Sequence, residues 1–584
     1  MAATDDARTT MSSVLVIGSG AAGLRAAIAV HEAGREVLVL GKRLAKDAHT
    51  VLASGGINAA LGTVDPEDSW EQHFADTLRD GYFLGDPRTV EIMAREAPAA
   101  ISELVEWGCP LARTDDGRLD QRYFGAHRYR RTCYAGDYTG RAILHTLADR
   151  VGELGIPIME RTYISRLLVH DGDCFGAYGF DLSSGQRCVF LADAVVLAAG
   201  GHTRLWRRSS SRRDENTGDG MALALRAGCR VGDAELVQFH PTGMVAPEEM
   251  AGTLVTEAVR GEGGRLLNAD GERFMRRYDP ERMELTTRDR VALASYTEIA
   301  EGRGTPNGGV WLDISHRDKA FILERLPRMY RQFIESQMLD LSAEPVEVAP
   351  TAHYSMGGVV VDPETHATDV AGLYAAGEVA TGLHGANRLG GNSLVETLIF
   401  GRRAGQAAAA HSESLEMQLR ARAVIADAAG EVDALLREGE RFARQLQRSL
   451  RDEMWTHCGV VRDADGLNTA LEAIVRLREE AEQVDVRPSS EGYDDLAHAL
   501  DLRASLLSAE ATVLGALERR ETRGAHNRAD FPDVDESLRV NLVARLSDEG
   551  SLELSRAPIP EVPEHLREWA ASEAEYNVEG RLLE

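Results

Sequence analysis

The sequence predicts an α/β chain in which a dinucleotide-binding domain is built from two separated segments, with an α+β capping region inserted between them, a helical domain after them and a C-terminal tail. Three observations carry that expectation. The first third alternates strand and helix patterns around Gly18-Ser19-Gly20-Ala21-Ala22-Gly23. A second glycine-rich zone at 357–405 resembles the first. From 406 to 523 the pattern changes to long amphipathic helices rich in arginine and glutamate, with few glycines.

Taken in order, residues 13–17 form a short buried-strand pattern, 21–33 a helix and 36–40 a second strand, which make a βαβ unit. Between the first strand and the helix lies the G-x-G-x-x-G run. Its glycines allow a tight turn, close approach of the backbone to a pyrophosphate and close packing of helix on strand, with the phosphates at the helix N-terminus. This Rossmann-like reading assigns Gly18, Gly20 and Gly23 to a dinucleotide. About twenty residues on, where an acidic ribose partner is usual, stand Gly41-Lys42-Arg43, whose basic pair could equally suit a 2′-phosphate. Residues 164–169 and 194–199 are further strands, the second closing on Gly200 and Gly201. The stretch 243–341 is mixed, glycine-dotted and charged, as in an insertion. The chain end, with Pro558, Pro560 and Pro563, reads as a loop-rich tail.

Composition bounds the class. The chain has 584 residues, 65 Lys and Arg against 93 Asp and Glu, a formal net charge of −28 and 43% hydrophobic residues. That is a soluble globular composition with length for several domains, and it argues against nucleic-acid binding. Cys109, Cys133, Cys174, Cys188, Cys229 and Cys458 are far apart with no C-x-x-C pair, so no zinc or iron–sulfur site is expected within the chain, and a reducing compartment fits. No apolar run approaches a membrane span, and the acidic start has no apolar signal core. The chain is therefore expected to carry neither its own anchor nor a secretion signal.

Specificity begins with Ala48-His49-Thr50-Val51-Leu52-Ala53-Ser54-Gly55-Gly56-Ile57-Asn58. It continues through Gln121-Arg122-Tyr123-Phe124-Gly125, Asn216-Thr217-Gly218-Asp219-Gly220, Gln238-Phe239-His240-Pro241-Thr242-Gly243 and Leu254-Val255-Thr256-Glu257-Ala258-Val259-Arg260-Gly261-Glu262-Gly263-Gly264. Thr287-Arg288-Asp289, His353-Tyr354-Ser355-Met356-Gly357-Gly358, Gly377-Glu378, His384-Gly385-Ala386-Asn387-Arg388-Leu389-Gly390-Gly391-Asn392-Ser393-Leu394 and Glu521-Thr522-Arg523-Gly524-Ala525-His526 complete the series. With these motifs the chain resembles the flavoprotein subunit of the succinate dehydrogenase and fumarate reductase family over nearly its whole length.

The resemblance implies FAD as cofactor, held covalently by an 8α-histidyl bond at His49. In that family the second strand often ends in a small residue followed by lysine, which places Lys42 beside the cofactor. Gly55 and Gly56 follow His49, Asp219 helps bind the nucleotide part, Glu378 the ribityl chain, and the Ser393-Leu394 backbone faces the pyrimidine edge of the ring. A small dicarboxylate would be gripped by His240 and Thr256 at one carboxylate and by His353 and Arg388 at the other, with Phe124 as an apolar wall. Arginine suits this because its planar fork binds a carboxylate bidentately. The proton step falls to Arg288. Free arginine, with a pKa of about 12.5 or higher, is a poor base, so the role requires a relay, for which Glu257 and Arg260 are placed by their three-residue spacing.

The activity so implied is oxidation of succinate to fumarate by hydride transfer to FAD. The electrons would pass to an iron–sulfur protein subunit, then to quinone, through partner chains that include one or more membrane anchor subunits. The chain would then sit on the cytoplasmic side of the bacterial inner membrane. Fumarate reduction uses the same residues and is the first alternative. L-aspartate oxidase is the second: Thr381-Gly382-Leu383-His384-Gly385 resembles it as much as the dehydrogenases, whereas His49, the Gln121 to Gly125 loop and Leu389-Gly390-Gly391-Asn392 oppose it. A self-contained soluble fumarate reductase would need haem motifs that are not evident, and a noncatalytic subunit would not need every charged site residue. The expected domains are 12–239 with 350–405 (FAD-binding), 240–349 (cap), 406–530 (helical) and 531–584 (C-terminal).

Overall fold

Branched apolar residues without polar alternation must be covered on both faces, and Val14, Leu15, Val16 and Val39 are at most 1% exposed. They lie in the central sheet of a computed structural model that describes residues 7–488 and 492–572; the first six residues and the tail end from 573, parts of the expected start and C-terminal domain, lie outside the described residues. The strand order is Ile158–Met159, Val37–Leu40, Arg8–Ile17, Arg187–Leu197, Asp173–Asp181, Thr162–His170, with Leu373–Ala375 also paired to Arg187–Leu197. Pairings on the Ile158–Met159 side and to Leu373–Ala375 are parallel, and the last two strands are antiparallel. The strand expected at 13–17 begins at Arg8, because its more exposed first half still pairs with Cys188 and its neighbours. The strand expected at 194–199 is the end of Arg187–Leu197.

The helix Ala21–Glu32 is buried from Ala21 to Val30. It packs against the helix Asn392–Ser414, whose Gly401 and Gly405 come down on the carbonyls of Ala22 and Ala26 where a methyl group would clash. This contact brings the second glycine-rich zone back onto the first.

Between the two segments, Val237–Met244, Val346–Ser355, Val310–Asp313 and Arg265–Leu267 form an antiparallel sheet in that order. Its own core includes Met244, Phe274, Leu312, Met329 and Phe333. Residues 240 and 349, where the sequence places the edges of the cap, lie inside the first two strands. The cap thus meets the nucleotide-binding part through a hydrogen-bonded strand pair.

The helices Arg422–Leu435, Ala443–His457, Ala464–Ala481 and Asp494–Glu518 share one core that reaches Phe175, Phe180, Trp206 and Phe239. The loop-rich reading of the tail needs correction. Val540–Leu546 and Leu552–Pro558 form an antiparallel hairpin, from Val540 opposite Pro558 to Leu546 opposite Leu552, beside Val231–Gly232. The prolines that suggested a loop stand at the exit of this hairpin, and its outer strand is half exposed, so its apolar pattern is weak. Among the described residues no helix is long and apolar enough to cross a membrane, no three metal-ligating side chains are grouped, and the six cysteines are buried free thiols.

Candidate active site

A single long cleft begins at the N-terminus of helix Ala21–Glu32 and ends under the cap. At its nucleotide end, Gly18 has φ +117° and lies against the Ala198 carbonyl where no Cβ fits, and Gly23 lies equally tight against Gly18. The helix has no side-chain cap at Gly20; Thr50 Oγ1 accepts from the Ala21 amide at 3.1 Å, and the remaining first-turn donors suit a diphosphate.

The basic pair after the second strand is already committed to carboxylates. Lys42 Nζ stands 2.9 Å from Asp501 and 3.5 Å from Asp219, and Arg43 reaches Asp47 and Asp214 at 2.7 and 2.8 Å. Burial works against the Lys42 charge, but Asp501 and Asp219 outweigh it and raise its pKa. Tyr163 and Thr217 also bond Asp501, at 2.8 and 3.3 Å. A 2′-phosphate would find these cations taken, which settles the ambiguity of Gly41-Lys42-Arg43.

Midway, His49 Nδ1 lies 3.2 Å from Glu215 Oε2. Burial alone would lower the histidine pKa, but the carboxylate raises it. Gly55 faces the ring of Phe124 with no room for a side chain, and Gly56, at φ +150°, presses on Thr132 and Cys133. Glu378 accepts from the Ser355 amide at 3.0 Å and from Asn216 at 3.3 Å. Ser393 and Leu394 open the helix Asn392–Ser414 toward the cleft.

At the far end the strand pair of the cap brings His240 and His353 to 5.1 Å between ring centroids. The Thr242 amide donates to His240 Nδ1 at 3.2 Å, so the neutral ring carries its proton on Nε2. Ser210 Oγ bonds His353 Nδ1 at 2.9 Å. Both histidines are pushed well below the usual range, His240 by burial and then Arg288, His353 by burial and then Arg388. Arg288, 7% exposed, donates through Nε to Glu257 Oε2 at 2.7 Å, its Nη2 lies 2.6 Å from the same oxygen, and Nη1 donates to Gln238 Oε1 at 3.0 Å. Burial would raise the Glu257 carboxyl, but Arg288 and Arg260 win and hold it at about 2. The other Glu257 oxygen accepts from the Gly125 amide at 2.8 Å, which ties the Phe124 loop to the same carboxylate. Arg388, 4.5 Å over the Tyr354 ring, keeps Nε buried without a partner. Burial and then Arg288 depress it to about 9.

Of the residues named from sequence, the cleft wall contains Gly18, Gly20, Lys42, His49, Gly55, Gly56, Phe124, Asp219, His240, Thr256, Glu257, Arg288, His353, Glu378, Arg388, Ser393 and Leu394. Gly23 stands behind Gly18, and Arg260 behind Glu257 with 3.9 Å between Nη2 and Oε1. Sequence reasoning assigned no role to Gln238, Ser210, Glu215 or Asp501. Gln238 was within reach, since it stands two residues before His240 and so shares its face of a strand. Asp501 sits on a helix far along the chain, with no local signal.

A family model described as FAD binding domain matches residues 13–394, and one described as fumarate reductase flavoprotein C-term matches residues 447–568. A fumarate reductase (CoM/CoB) subunit of Methanothermobacter marburgensis is 46% identical over 523 residues, 89% of this chain and 94% of its own length. The succinate dehydrogenase flavoprotein subunit of Rickettsia conorii is 36% identical over 579 residues, 94% of this chain and 95% of its own. The solved structure "Mycobacterium smegmatis Sdh1 in complex with UQ1" has a TM-score of 0.86 at 40% identity, covering 96% of each chain. A glycine cradle at one end of the cleft and a cluster of largely buried arginines and histidines at the other define an FAD-dependent oxidoreductase. The chain belongs to the succinate dehydrogenase/fumarate reductase flavoprotein subunit family. Its residues fit FAD: Gly18 and Gly23 let the turn and the helix pack tightly without a Cβ, and first-turn amides of a helix with no side-chain cap face the cleft.

Proposed function

We propose that this chain is the catalytic flavoprotein subunit of a succinate dehydrogenase, which oxidises succinate to fumarate and passes electrons to an iron–sulfur partner and then to quinone. The observation that carries the reading is Arg288, clamped between Glu257 and Gln238 in a chamber whose other walls are His240, His353 and Arg388. Bound FAD supplies the hydride acceptor. His240 and Thr256 hold one carboxylate, and His353 and Arg388 the other, with the unpartnered Arg388 Nε as a ready donor. Thr256, Glu257 and Arg388 are at most 2% exposed, so the groups that would meet the substrate are shielded from bulk solvent. For Arg288 to act as the base, a proton would first leave its guanidinium for Glu257 and be passed on toward Arg260, which releases one in turn; neutral Arg288 would then take the proton from the carbon beside the one that loses hydride. Asp219, with Lys42 beside it, and Glu378 would hold the nucleotide and ribityl parts of the cofactor, and the Ser393 and Leu394 amides would face its ring. His49 carries the 8α bond: Glu215 engages Nδ1 and leaves Nε2 for the flavin.

Electrons must leave, and among the described residues neither a metal-ligand cluster nor a membrane span is present. The reading therefore includes a membrane anchor and an iron–sulfur subunit, with this chain peripheral on the cytoplasmic face. Running in reverse, the same residues would reduce fumarate, a second reading favoured by the name of the 46% identical methanogen relative. Turnover with succinate, fumarate and L-aspartate side by side is the test. Malonate-sensitive succinate oxidation is expected; faster fumarate reduction would favour the second reading, and oxidation of L-aspartate without succinate would overturn both.

A further inference from the structure

Beside the flavin cleft opens a second one, between the loop 203–213, the helix Ala443–His457 and the cap rim at 248–254. The two clefts share Lys42, Leu52, Ser210, Asp214 and Leu254, so they are continuous. Arg204, Arg213, Arg448 and Arg451 line the second cleft, and none of the four forms an ion pair among the described residues. Three acids of the cleft are engaged elsewhere: Asp214 with Arg43 at 2.8 Å, Asp452 with Arg207 at 3.5 Å and Asp501 with Lys42 at 2.9 Å. Glu248, Glu249 and Asp494 also border it.

The cluster is built rather than scattered. Arg451 donates to the carbonyls of Arg204 and Arg213, each at 3.1 Å, and so ties both ends of the loop between them. Arg204 keeps a buried Nε without a partner. Burial and then the facing guanidiniums lower Arg204 to about 9; burial lowers Arg451 to about 10, with Arg213 and Arg448 adding to it against the opposing pull of Asp501. In a chain of net charge −28, unpaired like charges held this close call for an anion. The loop leads to the chemistry: Ser210, at its middle, bonds His353 at 2.9 Å and its amide bonds the Ala352 carbonyl at 2.9 Å.

We propose that Arg204, Arg213, Arg448 and Arg451 form an outer anion site that captures small dicarboxylates and feeds them to the buried pair His240 and His353. The inference rests on the dicarboxylate reading above. Guanidiniums match carboxylates bidentately, and a cationic cleft raises the local anion concentration and the association rate in a salt-dependent way.

The test uses the FAD-loaded protein and malonate as probe, with association followed by stopped-flow flavin absorbance at about 0.02 M and about 0.5 M salt. The double variant R213Q/R448Q removes two exposed charges and leaves the tie made by Arg451 intact; R213K/R448K keeps the charge. R213Q/R448Q is expected to slow association about threefold to tenfold at low salt, lose most of the salt dependence and leave the dissociation rate unchanged. R213K/R448K should follow the wild type. Equal association rates for R213Q/R448Q and wild type, a change confined to dissociation, a slow R213K/R448K, or no malonate binding at all would overturn the proposal. Salt-dependent malonate binding without turnover of succinate or fumarate would instead overturn the assigned reaction and leave the outer site standing.

Discussion

The two ends of the flavin cleft are made in different ways. At the nucleotide end, Gly18, Ser19 and Gly20 come from one turn and act through backbone shape, with Gly18 pressed on the Ala198 carbonyl where no Cβ fits. At the substrate end, His240, Glu257, Arg288, His353 and Arg388 come from distant segments and act through charged and polar side chains, several of them locked by buried hydrogen bonds. Damage at the first end should therefore cost occupancy and stability, and damage at the second should cost turnover while the cofactor stays.

The largest effect should follow Arg288→Gln, which keeps the shape of the chamber but removes the proton carrier. A loss in kcat of about 10²- to 10⁴-fold is expected, with FAD content and malonate affinity near wild type. Substantial remaining turnover would take Arg288 out of the proton step. His49→Ala tests the border between the ends: wild-type flavin should stay with acid-precipitated protein and fluoresce in a denaturing gel, and the variant should release it. A wild-type band without flavin would rule out the covalent bond. Gly18→Ala forces a Cβ onto the Ala198 carbonyl at φ +117°, so FAD content and thermal midpoint should fall together, by about 1–3 kcal/mol of stability. Retained FAD with reduced turnover would erase the contrast between the ends.

The smallest effect is a pH dependence of the substrate end. His240 and His353 are held neutral in the folded chain. Their contribution to stability is full above about pH 6.5, the ordinary histidine value, and is lost as pH falls below it, because the unfolded chain then binds protons that the folded one refuses. A dianion between the rings favours their charged forms, so malonate binding should take up protons and tighten toward lower pH, by up to about tenfold per unit for each proton taken up. Calorimetry in buffers of different ionisation heat measures that uptake; none, or proton release, would place the dianion away from the two rings.

Much of this was legible in the sequence because it is local. The glycine fingerprint, the apolar runs at 13–17 and 36–40 and the motif around His49 each specify their surroundings within a few residues. The partners that orient the functional side chains were harder to read. Glu215 reaches His49 across a sequence separation of 166 residues, and Asp501 reaches Lys42 across 459. Gln238 lay in view, but a glutamine in a strand has no distinguishing pattern until the sheet pairing sets which way it faces. The C-terminal hairpin was hidden by its prolines and by an outer strand with only one covered face.

The bond between Lys42 and Asp501 also bears on how the protein matures. Asp501 stands on the helix Asp494–Glu518, yet it fixes Lys42, a wall residue of the cleft begun by the first forty residues. In a nascent chain that bond cannot form until synthesis has passed residue 501 and the helical bundle has docked. FAD bound against Lys42 is therefore expected to resist separation of the bundle from the sheet. Cofactor-free protein should accordingly be nicked first between the bundle helices, and added FAD should protect it.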